Sequence, residues 1–158
     1  MTGQALRRLR VGLALAYAAA LAFVLFWPVH IDGVGGFVQF GPLLDAIALL
    51  GIPAWASYPF VEFAFNMALF APLGLLVAVG SRHPGARRIA TATAAGLVLS
   101  GLAELVQHLF LPDRTTDVRD VVANALGAGL GAAVVVAIDY AVRRRASPIA
   151  SAARTSAR

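Results

Sequence analysis

Residues 103–127 read AELVQHLFLPDRTTDVRDVVANALG, a stretch that gathers Glu104, Gln107, Arg114, Asp117, Asp120 and Asn124 between two long apolar runs. Its middle, LPDRTTD, holds a proline followed by small polar and charged residues and reads as a short connection between two helices. The flanking runs, about Ile89 to Phe110 and Val121 to Val142, approach or exceed the roughly 20 helical residues that cross a hydrocarbon core. The hairpin is therefore expected to lie in a membrane, with its polar residues close to one end.

Composition supports lipid as the main solvent. Of the 158 residues 59% are hydrophobic and only 13% charged, with a mean hydropathy of +0.78, far from the balance of an ordinary soluble domain. Cysteine is absent, which excludes disulfides, thiolate metal sites and a cysteine nucleophile. Two further apolar runs, about Val11 to Trp27 and Phe60 to Gly80, bring the number of spans to four. The first follows Arg7, Arg8 and Arg10, and Ala18 to Ala20 imitate a signal-peptide cleavage site. The apolar run continues past those alanines as LAFVLFWP, so the segment is read as a retained anchor, with Trp27 and Tyr58 as interfacial aromatics.

The arginines orient the chain. Arg7, Arg8 and Arg10 precede the first span, Arg82, Arg87 and Arg88 lie between the second and third, and Arg143 to Arg145 follow the fourth. By the positive-inside rule these flanks face the cytoplasm. The other connections hold Arg114 and Arg119 against Asp32, Asp45, Asp113, Asp117 and Asp120 and face out. A pI near 11.0 then reflects topology, and no nucleic-acid partner is expected. The domain plan is a cytoplasmic N-terminus (1–10), a four-span domain (11–142) and a basic, disordered cytoplasmic tail (143–158). Within the outer connection at about 28–59, PLLDAIALLGIPAW forms a helix too short to span, expected to lie in the interface or re-enter. Gly33, Gly35, Gly36 and Gly41 loosen the approach to it.

Depth follows from helical geometry. At 1.5 Å per residue Glu104 lies about 9 Å below Phe110, with Gln107 about one turn nearer the surface. Helical spacing places Ser100, Glu104, Gln107 and His108 on one face of the third span, Glu62 and Asn66 on one face of the second, and Asp120, Asn124, Gly127 and Gly131 on one face of the fourth. Pro72 threatens the second span below Asn66. An ionisable group facing lipid costs about 2.5–3.5 kcal/mol, so these side chains are expected to face each other or a wet cavity. The competing explanation is a set of interhelical hydrogen bonds worth about 0.6 kcal/mol each. Ala123, Gly127 and Gly131 form a small-residue stripe read as bundle core, with a homodimer seam through Gly127 and Gly131 as the weaker option.

These residues also carry a resemblance. Glu104-x-x-Gln107, a proline, then Arg114, Asp117, Asp120 and Asn124 ahead of Gly127 and Gly131, is similar to the signature of the VanZ-like family. The earlier NMALFAPLG, with Asn66, Phe70, Pro72 and Gly74, resembles that family's N-x-x-x-F-x-P-x-G motif. Both motifs occur in order across about residues 60–131. The resemblance implies a small polytopic protein of the bacterial plasma membrane, in a family named for a member associated with resistance to the glycopeptide antibiotic teicoplanin. It adds weight to Asn66, Glu104, Gln107, Arg114, Asp117, Asp120 and Asn124 as ligand-binding residues and does not specify a reaction.

Three function classes remain. One is a binding or transport protein whose outer pocket holds a lipid headgroup, a cell-wall precursor or a lipoglycopeptide, with Arg114 as a bidentate donor to a phosphate or carboxylate. Another is an intramembrane enzyme with Glu104 as acid or base and Arg114 stabilising an anion. The last is a structural partner of another envelope protein. Neither H-E-x-x-H nor G-x-S-x-G is present, so catalysis is the runner-up. Glu104 and His108 have the i, i+4 spacing of two metal ligands, yet a His at a helix end is more often interfacial, while His30 and His83 lie on flanks. No metal and no cofactor is expected. The fold expectation is an all-α four-span bundle with both termini cytoplasmic, surrounded by membrane lipids.

Because the native chain has no cysteine, introduced thiols report topology cleanly. Cysteines near Gly35 and Thr115 are expected to react with an impermeant thiol reagent in whole cells, and those near Gly85 and Ser151 to stay protected. The opposite pattern would reverse the bundle.

Overall fold

The computed structural model describes residues 3–27, 40–111 and 117–155. They form five helices: α1 (Gly3–Leu25), α2 (Gly41–Ala48), α3 (Ala54–Gly80), α4 (Gly85–Phe110) and α5 (Val118–Thr155). All but α2 are long and apolar enough to cross a membrane, and no strand occurs among the described residues. The chain is a polytopic helical bundle.

The distribution of side-chain size explains how the bundle lives in lipid. Its interior is made of small residues: Ala78, Ala92, Ala123, Ala128 and Ala132 are sealed completely, whereas Leu105, Leu130, Ile138 and Phe110 stand more than half exposed on the outside. A water-soluble core has the reverse arrangement, because there burial of large apolar groups drives folding. In hydrocarbon that drive vanishes between helices, and close backbone contact takes its place.

That contact centres on α5, which packs most extensively on α3 and next on α4. A Cβ at Gly127 would overlap the Met67 backbone, one at Gly131 the Ala71 carbonyl, and one at Gly74 the Ala128 carbonyl. The two helices thus interlock through glycines spaced by one turn. Gly96 on α4 meets Ala128 and the Asn124 carbonyl in the same way. The close approach that Gly127 and Gly131 permit is taken up by α3 of the same chain, so a homodimer would have to use another face.

The helix ends follow local chemistry. Asp117 accepts a 2.8 Å hydrogen bond from the Arg119 N–H and thereby caps α5. Pro42 sits in the first turn of α2, and Gly51, with φ of +83°, turns the chain after it. The eight residues of α2 span about 12 Å, too little for a bilayer, and the helix rests on α3. α3 stays helical through both Pro59 and Pro72 to Gly80, so Pro72 does not end it as the sequence suggests. Neighbouring helices can satisfy backbone groups that a proline frees in a membrane, and in the turn before Pro72 the Tyr17 hydroxyl of α1 donates to the Leu69 carbonyl at 3.0 Å. α5 also continues through the segment read as a disordered tail, as far as Thr155; alanine and arginine, which dominate there, are strong helix formers.

Gly127→Val is expected to lower the unfolding free energy in micelles by more than the about 1–3 kcal/mol usual for overpacking, because it collides with backbone. Gly101→Ala, with nothing within 4 Å of the added carbon, should be neutral or stabilising by up to about 1 kcal/mol.

Candidate functional site

Three long helices bring their polar residues to one level at the bundle end opposite the Arg82, Arg87 and Arg143 flanks. On α3, Asn66 donates from Nδ2 to Asp120 Oδ1 of α5 at 2.7 Å. One turn along α5, the Asn124 amide donates to Ser100 Oγ of α4 at 2.8 Å. Gln107, one turn before the end of α4, donates to the Leu25 carbonyl at the end of α1 at 2.6 Å. A chain of amides and carboxylates therefore ties all four long helices together.

Burial grades these residues. Ser100 is 1% exposed, Asn124 3% and Gln107 4%, so each is removed from lipid and bulk water alike. Glu62, Asn66, Glu104 and Asp120 are half-buried, placed where they contact the interior and still border the outside. Asn124 Oδ1 is sealed and accepts no hydrogen bond among the described residues, a state that costs about 1–3 kcal/mol relative to a satisfied carbonyl.

The residues expected from the sequence thus fall into three groups. Asn66, Asp120 and Asn124, with Ser100, form the layer itself, and Glu104 lies on α4 between Ser100 and Gln107. Gln107 is spent on the backbone of α1 and Asp117 on the cap of α5, where it is exposed. Arg114 lies outside the described residues. His108 is exposed and does not share the buried face of Ser100 and Gln107. No cluster of three or more His, Asp and Glu side chains suited to a metal occurs among the described residues.

A model of the family described as VanZ/LLP1 matches residues 14–139, most of the chain and all four spans. The chain belongs to the VanZ/LLP1 family. No curated protein and no solved structure matches it. In this VanZ-like membrane protein both sequence motifs converge: Asn66 of the N-x-x-x-F-x-P-x-G segment bonds to Asp120 of the second motif, while Phe70 is fully buried and Gly74 receives the α5 backbone.

A groove of about 670 Å3 runs between α2 and α3, on a side of α3 other than the one that carries Asn66. Phe40, Ile47, Phe60, Val61 and Phe65 line it, on the stretch of α3 that also carries Glu62 and Asn66. Phe40 closes one side through edge-to-face contacts with Tyr58 and Phe65, with ring centroids 6.3 and 5.4 Å apart. The sequence reading of α2 as a short interfacial or re-entrant helix gave no sign of the groove between it and α3, since no periodicity marks a gap between two apolar helices.

Sequence reasoning also missed a polar cluster at the other end. Arg88 is 8% exposed; its Nη1 pairs with Asp139 Oδ2 at 2.6 Å, and its Nε donates to the Ala78 carbonyl at 3.0 Å. By sequence alone Arg88 reads as part of the positive flank. The available signal was Asp139, a lone carboxylate in the apolar run VVVAIDY, which in a span calls for a partner.

Proposed function

We propose that this VanZ-like protein binds the headgroup of an anionic amphiphile at the polar layer and lodges its apolar chain in the groove between α2 and α3. The observation that supports this reading is that a polar layer drawn from three spans, with its Asn66–Asp120 and Ser100–Asn124 pairs, shares helix α3 with an apolar groove on another side of that helix. A ligand with a polar head and a fatty tail matches both halves, as pockets for such molecules combine an apolar wall with a few placed polar groups. Arg114, three residues before Asp117 in sequence, supplies the cation for a phosphate or carboxylate, and Glu104 and Asn66 hydrogen-bond the rest of the headgroup. An anionic lipid, a cell-wall precursor and a teicoplanin-type lipoglycopeptide all fit this chemistry.

The reading includes a location. With the arginine flanks in the cytoplasm, the layer and groove belong to the outer leaflet of a bacterial plasma membrane, where lipoglycopeptides and lipid-linked wall precursors meet. Capture there would lower the local availability of such an antibiotic, which connects the site to resistance.

Two substitutions test the assignment in a glycopeptide-sensitised host, scored by susceptibility and by binding of a fluorescent lipoglycopeptide to purified protein. Arg114→Lys keeps the charge and loses the planar fork, so it should abolish binding while the melting temperature stays within a few degrees of wild type. Glu104→Gln should keep expression and lose the phenotype. Full activity in both variants would remove the headgroup site from these residues, and poor folding of Arg114→Lys would make that arginine structural.

A further inference from the structure

A separate, polar cavity lies at the opposite end of the bundle from Asn66 and Asp120. The Arg88–Asp139 pair forms the floor of a cavity of about 330 Å3 whose rim carries Ser81, Arg82, His83 and Arg143. Three arginines face one carboxylate there, and the carboxylate is already neutralised by Arg88 at 2.6 Å. The basin is therefore cationic. Its floor is rigid, because Arg88 is held at both Nε and Nη1 and is almost wholly buried.

The basin does not stand alone. A groove of about 340 Å3 between α1 and α3, lined by Val11, Ala14, Leu75, Leu76 and Val79 with Arg10 at its edge, borders on it. Val79 lines both spaces. A cationic basin and an apolar slot that share Val79 as a wall match the charge pattern of a phospholipid with a phosphodiester head and an acyl chain, and basic pockets between helices on the cytoplasmic side suit such heads.

We propose that this junction is a binding site for an anionic phospholipid of the leaflet at the arginine-rich end. Arg82 and Arg143 contact the phosphoryl oxygens, Ser81 and His83 add hydrogen bonds, and one acyl chain passes Val79 into the slot beside α1. Bound lipid bridges α1 to the α3–α4–α5 core, to which α1 is otherwise lightly packed.

The test uses the full-length protein in nanodiscs of phosphatidylcholine, alone or mixed with phosphatidylglycerol, read by retained lipid in native mass spectrometry and by thermal unfolding. Wild type should retain phosphatidylglycerol over phosphatidylcholine. Arg82→Gln combined with Arg143→Gln should weaken that retention by at least about tenfold, with Arg82→Lys plus Arg143→Lys retaining most of it. Arg144→Gln combined with Arg145→Gln removes the same charge away from the basin and should leave retention unchanged. Val79→Trp, which blocks the junction, should also release the lipid. Equal loss in the Arg144 and Arg145 control would reduce the effect to diffuse surface charge and overturn the site. No preference for phosphatidylglycerol would overturn it as well. Inorganic phosphate stabilising the protein as strongly as the lipid, with no effect of Val79→Trp, would leave a free-anion site and contradict the lipid. Because these residues lie away from Asn66, Glu104 and Asp120, loss of lipoglycopeptide binding at the first site leaves this outcome unaffected.

Discussion

Where Gly127 and Gly131 pass under the Met67 and Ala71 carbonyls, α5 comes so close to α3 that neither position has room for a methyl group, and the polar layer depends on that approach. Asn66 and Asp120 are short side chains on separate helices, and they meet at 2.7 Å only because the backbones one or two turns further along are in contact. The same logic governs the second pair, since Gly96 lets α4 settle on Ala128 and brings Ser100 within 2.8 Å of Asn124. Glycine thus sets the distance, and the polar side chains occupy it.

The layer also serves the bundle. Each interhelical hydrogen bond in a membrane contributes on the order of 0.6 kcal/mol, and the Gln107 bond to Leu25 is one of the few ties between α1 and the rest of the bundle. Function and structure therefore share the same side chains, with a division by burial. Ser100 and Gln107 are sealed and act as fasteners. Glu104, Asn66, Glu62 and Asp120 are half-buried, and the binding reading draws on the first two. Asn124 joins the two groups, its amide nitrogen fastened to Ser100 and its Oδ1 accepting no hydrogen bond among the described residues.

Much of this was legible in the sequence because lipid punishes polar groups so heavily. Four apolar runs, an arginine at every alternate flank, and a carboxylate or amide every three or four residues near one end leave few arrangements open, and the predicted end of the third span at Phe110 coincides with the end of α4. The small-residue stripe in ANALGAGLG announced close packing but not the partner, since glycine spacing is the same whether the neighbour is α3 or another copy. Partners of single polar residues were less legible. That Gln107 reaches α1 and that Arg88 pairs with Asp139 across 51 positions depend on tertiary placement, for which local spacing carries no information, whereas the Asp117 cap on α5 is a local contact. The persistence of α3 through Pro72 is of the same kind, because neighbouring helices, and not the local sequence, make an interrupted turn tolerable.

The central claim is that α3 and α5 of one chain meet at the level of Asn66 and Asp120 inside the membrane. The most direct measurement places cysteines at both positions in the cysteine-free chain, adds a protease site between Ser81 and Gly85, and treats the protein in its native membrane with a short bifunctional thiol reagent before cleavage. The account predicts that the two fragments stay joined as a species of monomer mass, and that moving one cysteine to the lipid-facing Leu130 abolishes the link. Fragments that separate freely, or a link found only between two copies, would contradict it.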